Sequence, residues 1–127
     1  MERAVEWYVA ITSLIIGVSH IVRADDWVET YERLRRSGRP GAFASGGFHL
    51  ATGAAIVAGH HIWTWPEAIL TVLGCLLVLK GLICFLAPDK ALRSIERGGK
   101  RPGFIMAGIM AIAIGAWALF CLWNGNG

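Results

Sequence analysis

The chain has 127 residues, a length typical of one domain, with a hydrophobic fraction of 55% and a mean hydropathy of +0.53. These values exclude a soluble domain of this size and indicate a protein that uses the bilayer as its solvent. The formal net charge of +3 and the pI near 9.0 do not predict nucleic-acid binding, because the basic residues lie beside the apolar segments.

Four apolar stretches are long enough to cross a membrane as helices. They comprise residues 5–22, 43–63, 67–87 and 103–123, near the roughly 20 residues that a helix needs to cross a hydrocarbon core of about 30 Å. The first stretch has no signal-peptide cleavage site and exceeds a signal peptide's apolar core, so we expect it to stay as a span. The sequence therefore predicts an all-α, polytopic membrane protein with four transmembrane helices in a single domain, residues 1–127.

The basic residues predict the orientation of the spans. Ten of the twelve Lys and Arg lie in the two connectors that join the first span to the second and the third to the fourth. They are Arg23, Arg33, Arg35, Arg36 and Arg39 in the first connector, and Lys90, Arg93, Arg97, Lys100 and Arg101 in the second. The positive-inside rule places both connectors in the cytoplasm and both termini outside, as in a bacterial inner-membrane protein. Anionic lipid headgroups are the first partner we expect at the connectors.

Aromatic residues mark the expected membrane interfaces. The side opposite the connectors has Trp7, Tyr8, Trp63, Trp65 and Trp123. In the first connector, Asp26 and Glu29 have the spacing of a capping box, and Trp27, Tyr31 and Leu34 share one helical face. This pattern predicts an interfacial amphipathic helix that contacts lipid, with a soluble partner as the alternative. The second connector is similar but shorter and less aromatic.

An internal repeat relates the two halves of the chain. An offset of about 62 residues aligns Arg39-Pro40-Gly41 with the same tripeptide at residues 101–103. Further pairs at this offset are Leu14 with Leu76, Ile21 with Ile83, Arg35 with Arg97, Gly46 with Gly108, and Gly53 with Gly115. Because each half, residues 1–63 and 64–127, crosses the membrane twice, the copies share one orientation. We expect a tandem parallel repeat of two-helix units.

Small residues recur at every fourth position in the second and fourth spans, which lets helices approach closely where hydrophobicity cannot hold them together. The second span has two such stripes, Gly41, Ser45, His49, Gly53 and Gly47, Ala51, Ala55, Gly59; the fourth span has Gly103, Ala107, Ala111, Gly115. They predict helix packing, either within one subunit or between protomers.

Three ionisable residues lie in the parts of the spans nearer the connectors, where such groups favour a functional hypothesis. His20, His49 and Lys80, with Ser19, Ser45 and Thr52, would line a polar pocket on the cytoplasmic side if all faced inward. The alternatives are that Lys80 extends to the headgroups, that His20 contacts interfacial water, and that His49 makes a structural hydrogen bond.

Other chemistry has little support in the sequence. His20 and His49 are the one pair of histidines that suggests a haem b site, and apart from that hypothesis no cofactor is predicted. His60 and His61 form a weak metal signal in the outer loop, so no metal site is expected. Glu6 and Glu67 are explained by the dipoles of helices that begin near them. No catalytic motif occurs, so an enzymatic function has no positive support.

Two runs carry family resemblances. The run IGVSH at residues 16–20, followed by a charged connector and a glycine-rich span, resembles DoxX-like four-helix bacterial membrane proteins. The run LGCLLVLKGL at residues 73–82, continuing to Pro88 and a basic connector, is similar to small inner-membrane proteins of the YjeT type. These resemblances imply the architecture. For some DoxX-like members they imply a place in redox complexes, but this chain lacks cysteine pairs suited to that role.

Three hypotheses for function follow. The first is a non-enzymatic membrane subunit that packs through its small-residue faces against itself or a larger membrane complex. The second is a small homo-oligomeric channel or transporter with a polar path at His49 and Lys80. The third is a haem-binding membrane anchor subunit.

Overall fold

The computed structural model describes residues 2–124, and within that range the protein consists of six helices and no strand. The helices are α1 (Glu2–Val22), α2 (Ala24–Arg36), α3 (Arg39–Gly59), α4 (Ala68–Leu86), α5 (Pro88–Gly98) and α6 (Arg101–Asn124). The helices α1, α3, α4 and α6 are long and apolar enough to cross a membrane, so the predicted all-α class and the four long apolar helices are confirmed. Met1 and residues 125–127 of the predicted domain lie outside the described residues.

The helix α3 begins and ends about one turn earlier than hydropathy predicts. Its start is set by Gly38, whose φ of 69° breaks the chain after α2, and by Pro40 in the first turn. Its end is set by His60, which takes an extended conformation. Hydropathy misses both signals, because it excludes the charged Arg39 and includes the apolar loop around Trp63.

The capping box predicted at Asp26 and Glu29 is wrong. The helix α2 already begins at Ala24, so Asp26 lies inside its first turn, and the N-cap residue Arg23 makes no side-chain cap hydrogen bond. Arg23 instead pairs with Asp26 through an Nε to Oδ2 distance of 2.5 Å. One residue therefore separates α1 from α2, and α2 folds directly back against the bundle.

The four long helices form two close pairs, α1 with α6 and α3 with α4. The backbones of the first pair meet at Gly17 and Gly108. A Cβ on Gly17 would lie 2.8 Å from the carbonyl oxygen of Gly108, and a Cβ on Gly108 would lie 2.7 Å from the carbonyl oxygen of Gly17. Only glycine permits so close an approach of the two backbones.

The second pair uses glycine in the same way. A Cβ on Gly53 would lie 2.6 Å from the backbone nitrogen of Val78, and a Cβ on Gly81 would lie 2.7 Å from Cβ of Leu50. On the same face of α3, a Cβ on Gly46 would lie 2.5 Å from Cβ of Cys84. The helices α3 and α4 are thus held together along most of their length by backbone contact.

Apolar cores lie at the two ends of the bundle. We call the end with α2 and α5 the connector end, and the end with the loop of residues 60–67 the loop end. At the loop end all four long helices contribute to one buried cluster: Val5, Val9, Ala10, Ile56, Leu70, Ala118 and Cys121. At the connector end Ala42 and Cys84 pack with Ala91 of α5. The short helix α5 is therefore anchored to the α3–α4 pair.

The predicted small-residue stripes divide between the interior and the surface. The stripe Gly41, Ser45, His49, Gly53 is buried within the subunit. In the second stripe of α3, Gly47, Ala51 and Ala55 are open or exposed and Gly59 alone is buried. In α6 the stripe is buried at Gly115 and exposed at Gly103 and Ala107, with Ala111 between them half-buried.

Candidate functional site

Four aromatic rings form a cluster at the connector end. The His20 ring stacks on Trp27 with centroids 4.2 Å apart, and the Tyr31 ring lies 5.1 Å from that of Phe104. Trp27 Nε1 donates a hydrogen bond of 2.9 Å to the Ser19 hydroxyl. The aromatic face of α2, which the sequence predicts at the lipid interface, is therefore turned into the bundle, where Trp27 and Tyr31 are half-buried.

A second group of polar atoms lies inside α3, next to this cluster. His49 is buried, and its Nδ1–H donates a hydrogen bond of 2.7 Å to the Ser45 carbonyl. Burial raises the pKa of the Tyr31 phenol, and a hydrogen bond with Ser45 acts in the opposite direction. The Tyr31 hydroxyl of α2 therefore lies near Ser45 of α3, one turn from His49.

The six residues predicted to line one polar pocket lie in different environments. Ser19 and His20 face α2, and His20 Nδ1–H donates a bond of 2.8 Å to the Ile16 carbonyl. Ser45 and His49 are buried in the bundle, Thr52 is half-buried, and Lys80 is exposed on α4. As a binding pocket, and as a channel path or a haem site, this set stays a prediction.

The most enclosed polar cluster lies at the loop end and joins Glu6, His60 and Thr71. His60 is completely buried, Thr71 is 2% exposed and Glu6 is 4% exposed. His60 Nδ1 lies 2.7 Å from Thr71 Oγ1, and His60 Nε2 lies 3.3 Å from Glu6 Oε1. Thr71 Oγ1 also lies 2.7 Å from the carbonyl oxygen of Ile62. One imidazole thus connects α1, the loop and α4.

The hydrogen-bond directions in this cluster follow from the chemistry of its atoms. The Ile62 carbonyl can only accept, so Thr71 donates its proton there and must accept from His60 Nδ1–H. The remaining hydrogen bond, between His60 Nε2 and the Glu6 carboxyl, requires one proton. The proton lies either on Nε2, as an imidazolium beside a carboxylate, or on the carboxyl, as a carboxylic acid beside a neutral imidazole. The cluster therefore holds one shared proton and has no hydroxyl proton free for nucleophilic catalysis.

This cluster was missed in the sequence because its members are far apart in the chain. Glu6 was explained by the helix dipole, but α1 begins by Glu2, so Glu6 lies beyond the first turn and faces His60 instead. Glu67 is the N-cap residue of α4, at the positive end of that helix dipole, and it makes no side-chain cap hydrogen bond. The available signal was the presence of polar residues near the same end of three apolar helices.

The two connectors differ in how their charges are neutralised. In α2, Arg33 pairs with Glu29 at 2.7 Å, and Arg35 and Arg36 both pair with Glu32. The hydrogen bond from Arg35 lowers the pKa of the Glu32 carboxyl. In α5, Asp89 pairs with Arg39 of α3 at 3.7 Å, whereas Lys90, Arg93 and Arg97 have no acidic partner among residues 2–124.

Two surface cavities lie at the connector end. One, of about 240 Å³, lies between α2 and α5 and is lined by Tyr31, Glu32, Arg35, Ile95, Glu96, Gly99 and Lys100. The other, of about 320 Å³, is lined by Lys90, Arg93, Ser94 and Arg97 of α5. The first contains charges of both signs, and the second contains cations and one hydroxyl.

Comparison with known proteins gave no match to a family model, to a curated protein or to a solved structure.

Proposed function

We propose that this protein is a non-enzymatic integral membrane protein that self-associates and serves as a packing or assembly subunit in a bacterial inner membrane. In this proposal α1, α3, α4 and α6 cross the bilayer, and α2 and α5 lie at the cytoplasmic headgroups. Both termini are outside. The DoxX-like resemblance belongs to the same proposal.

The observation that carries the proposal is the outward face of α3. We define it by six small residues that are exposed or open to the outside: Ala44, Gly47, Ala51, Ala54, Ala55 and Ala58. A Cβ on Gly47 would meet no atom within 4 Å. Between residues 44 and 58, Phe48 is the one large apolar side chain that is exposed. Small residues favour close contact with another helix over contact with lipid chains.

The other long helices differ from α3 in their exposed residues. Large aliphatic side chains are exposed along α1 at Ile11 and Ile15, along α4 at Leu76 and Leu79, and along α6 at Ile109. Such side chains fill the space between a helix and lipid. The exposed alanine and glycine residues of α3 have one large side chain, Phe48, among them, and this composition distinguishes α3 as the surface for a neighbouring helix.

A second copy of the chain is the partner that best suits this face. Copies inserted with the same orientation are related by a two-fold axis along the membrane normal, which places each α3 residue near its own equivalent. Small residues tolerate that arrangement, because equal side chains at a two-fold axis must share the same space. The face has no charge that would need a complementary partner.

A tandem repeat is part of the proposal and is supported by the helix contacts. In the α1–α6 pair, Gly17 lies against Ile112; in the α4–α3 pair, Gly81 lies against Leu50 in the same way. A second pair of equivalent contacts joins Gly108 with His20 and Gly46 with Cys84. A residue of α1 in these contacts corresponds to the residue of α4 that follows 64 positions later. A residue of α3 corresponds to the residue of α6 that follows 62 positions later. The α1–α6 pair is then the copy of the α4–α3 pair. On this reasoning, Leu14 corresponds to Val78 rather than to Leu76.

The two-residue difference between the offsets arises in the connector helices. The helix α2 has 13 residues and α5 has 11. A shortening of two residues in the second connector therefore accounts for the change from 64 to 62. The equal direction of α1 and α4 in this scheme supports a parallel repeat with both connectors on one side of the membrane.

The test of self-association is a dilution experiment in proteoliposomes with donor- and acceptor-labelled copies. We expect energy transfer that falls as lipid is added, and an approximately tenfold weaker association for Ala51→Leu, because leucine separates the two helices. Ala116→Leu, which makes the same change at an exposed site on α6, is the control and should associate like the native chain. Equal effects of both variants, or no transfer at high protein density, would reject the proposal.

A further inference from the structure

The charges at the connector end are distributed unequally between two helices that occupy equivalent places in the chain. The helix α2 carries four acidic residues and three arginines. Each of these arginines pairs with Glu29 or Glu32. Intrahelical pairs of this kind satisfy the guanidinium groups locally. The helix α2 therefore presents little uncompensated charge to a ligand.

The helix α5 presents the opposite arrangement. Lys90, Arg93, Ser94 and Arg97 are spaced at i, i+3, i+4 and i+7, so they share one face of the helix. All four are exposed, and together they line a surface cavity of about 320 Å³. The three cations have no acidic partner within residues 2–124. This face combines guanidinium groups, an ammonium group and a hydroxyl, the donors that bind phosphate oxygens.

The opposite side of α5 fixes this face in position. Ala91 is buried, and Leu92 packs with it against the core formed by Ala42 and Cys84. The acidic residue Asp89 is turned toward Arg39, and Glu96 lines the other cavity. The cations are therefore held on an anchored helix at the end of the α3–α4 pair, rather than on a loose chain segment.

We propose that Lys90, Arg93, Ser94 and Arg97 form a binding site for a phosphate group, with the phosphodiester headgroup of an anionic lipid as its source. The inference deepens the proposed function, because it rests on α5 lying at the headgroup level of the membrane. It assigns lipid binding to α5 rather than to the basic residues of both connectors alike. Two arginines one helical turn apart contact phosphate oxygens from neighbouring positions, and Ser94 donates between them.

The test compares two double variants that remove the same charge from different helices. The full chain is reconstituted in phosphatidylcholine nanodiscs with a minor fraction of phosphatidylglycerol, and native mass spectrometry measures the phosphatidylglycerol retained. Arg93→Gln with Arg97→Gln should weaken retention about tenfold. Arg33→Gln with Arg36→Gln, which removes paired arginines of α2, should leave retention nearly unchanged. Equal loss in both variants, or no loss in the α5 variant, would overturn the assignment.

Two further measurements identify the source of the bound phosphate group and distinguish failure of the α5 site from failure of the membrane assignment. Addition of millimolar inorganic phosphate should leave phosphatidylglycerol bound if the headgroup is the ligand; displacement would reject the lipid as the source in favour of the free anion. Each variant is also floated with vesicles and extracted at alkaline pH. A chain that inserts normally but fails the retention test rejects only the α5 site, whereas a chain that is released rejects the membrane assignment itself.

Discussion

The two faces of α3 show how one helix can use small residues for two different purposes. On the inner face, Gly46 and Gly53 bring the backbones of α3 and α4 into contact, and any added carbon would collide with α4. On the outward face, Gly47 lies in open space and Ala51 and Ala55 are exposed. The inner face is required for the fold of the subunit, and the outward face is available to a neighbour. Substitutions should therefore separate folding from association.

The largest effect is expected on the inner face. Gly53→Ala places a methyl group 2.6 Å from the backbone nitrogen of Val78, so α3 and α4 must separate. We expect a loss of about 3 kcal/mol in the free energy of unfolding, measured by denaturant titration in lipid bicelles. Gly47→Ala makes the same chemical change where there is space, and it should leave stability unchanged. A similar loss in both variants would remove the distinction between the two faces.

A smaller effect is expected where the inner side of α3 continues into the loop. His60→Ala leaves the Glu6 carboxyl and the Thr71 hydroxyl without their shared partner and should lower the free energy of unfolding by about 2 kcal/mol. Glu6→Gln keeps a hydrogen-bond donor for His60 Nε2, so its free energy of unfolding should fall much less than that of His60→Ala. His61→Ala, at the adjacent exposed residue, is the control. Native stability of the His60 variant in bicelles would contradict the role given to this cluster.

The smallest effect is expected at the connector end of the same inner face. Tyr31→Phe keeps the ring against Phe104 but removes a half-buried hydroxyl that lies near Ser45. The expected loss is about 1 kcal/mol in the free energy of unfolding. Tyr8→Phe, at an exposed tyrosine of α1, should be neutral in the same titration. If the two phenylalanine variants are equally stable, α2 is not held on α3 through Tyr31.

The long helices could be predicted from the sequence because mean hydropathy over a span is a local property. The spans of α1, α4 and α6 agree with the helices to within three residues at each end. The errors at α3 come from Gly38 and Pro40, which start the helix before its apolar residues begin. Single residues such as Gly38 and Pro40 fix these boundaries, and a hydropathy average over many residues does not detect them.

Side-chain contacts could not be predicted, because they depend on which helices become neighbours. Glu6 and His60 are separated by 54 residues, and neither has a local pattern that indicates the other. The aromatic residues of α2 suit a lipid interface as well as a protein interior, and only the position of Phe104 on α6 decides between them. Likewise, the small-residue stripes of α3 look alike in sequence, although a Cβ on Gly53 would collide with α4 and a Cβ on Gly47 would meet no atom within 4 Å.

Disulfide cross-linking in native membranes measures whether the outward face of α3 contacts α3 of a second copy. The exposed Cys75 is first replaced by serine, and single cysteines are placed at Ala51, at Ala55 or, as a control, at Ala116. A disulfide requires Cα atoms within about 7 Å, so it reports close contact. We expect oxidised dimers from Ala51→Cys or Ala55→Cys and none from Ala116→Cys. Monomers at both α3 positions, or equal dimers at Ala116, would contradict this contact.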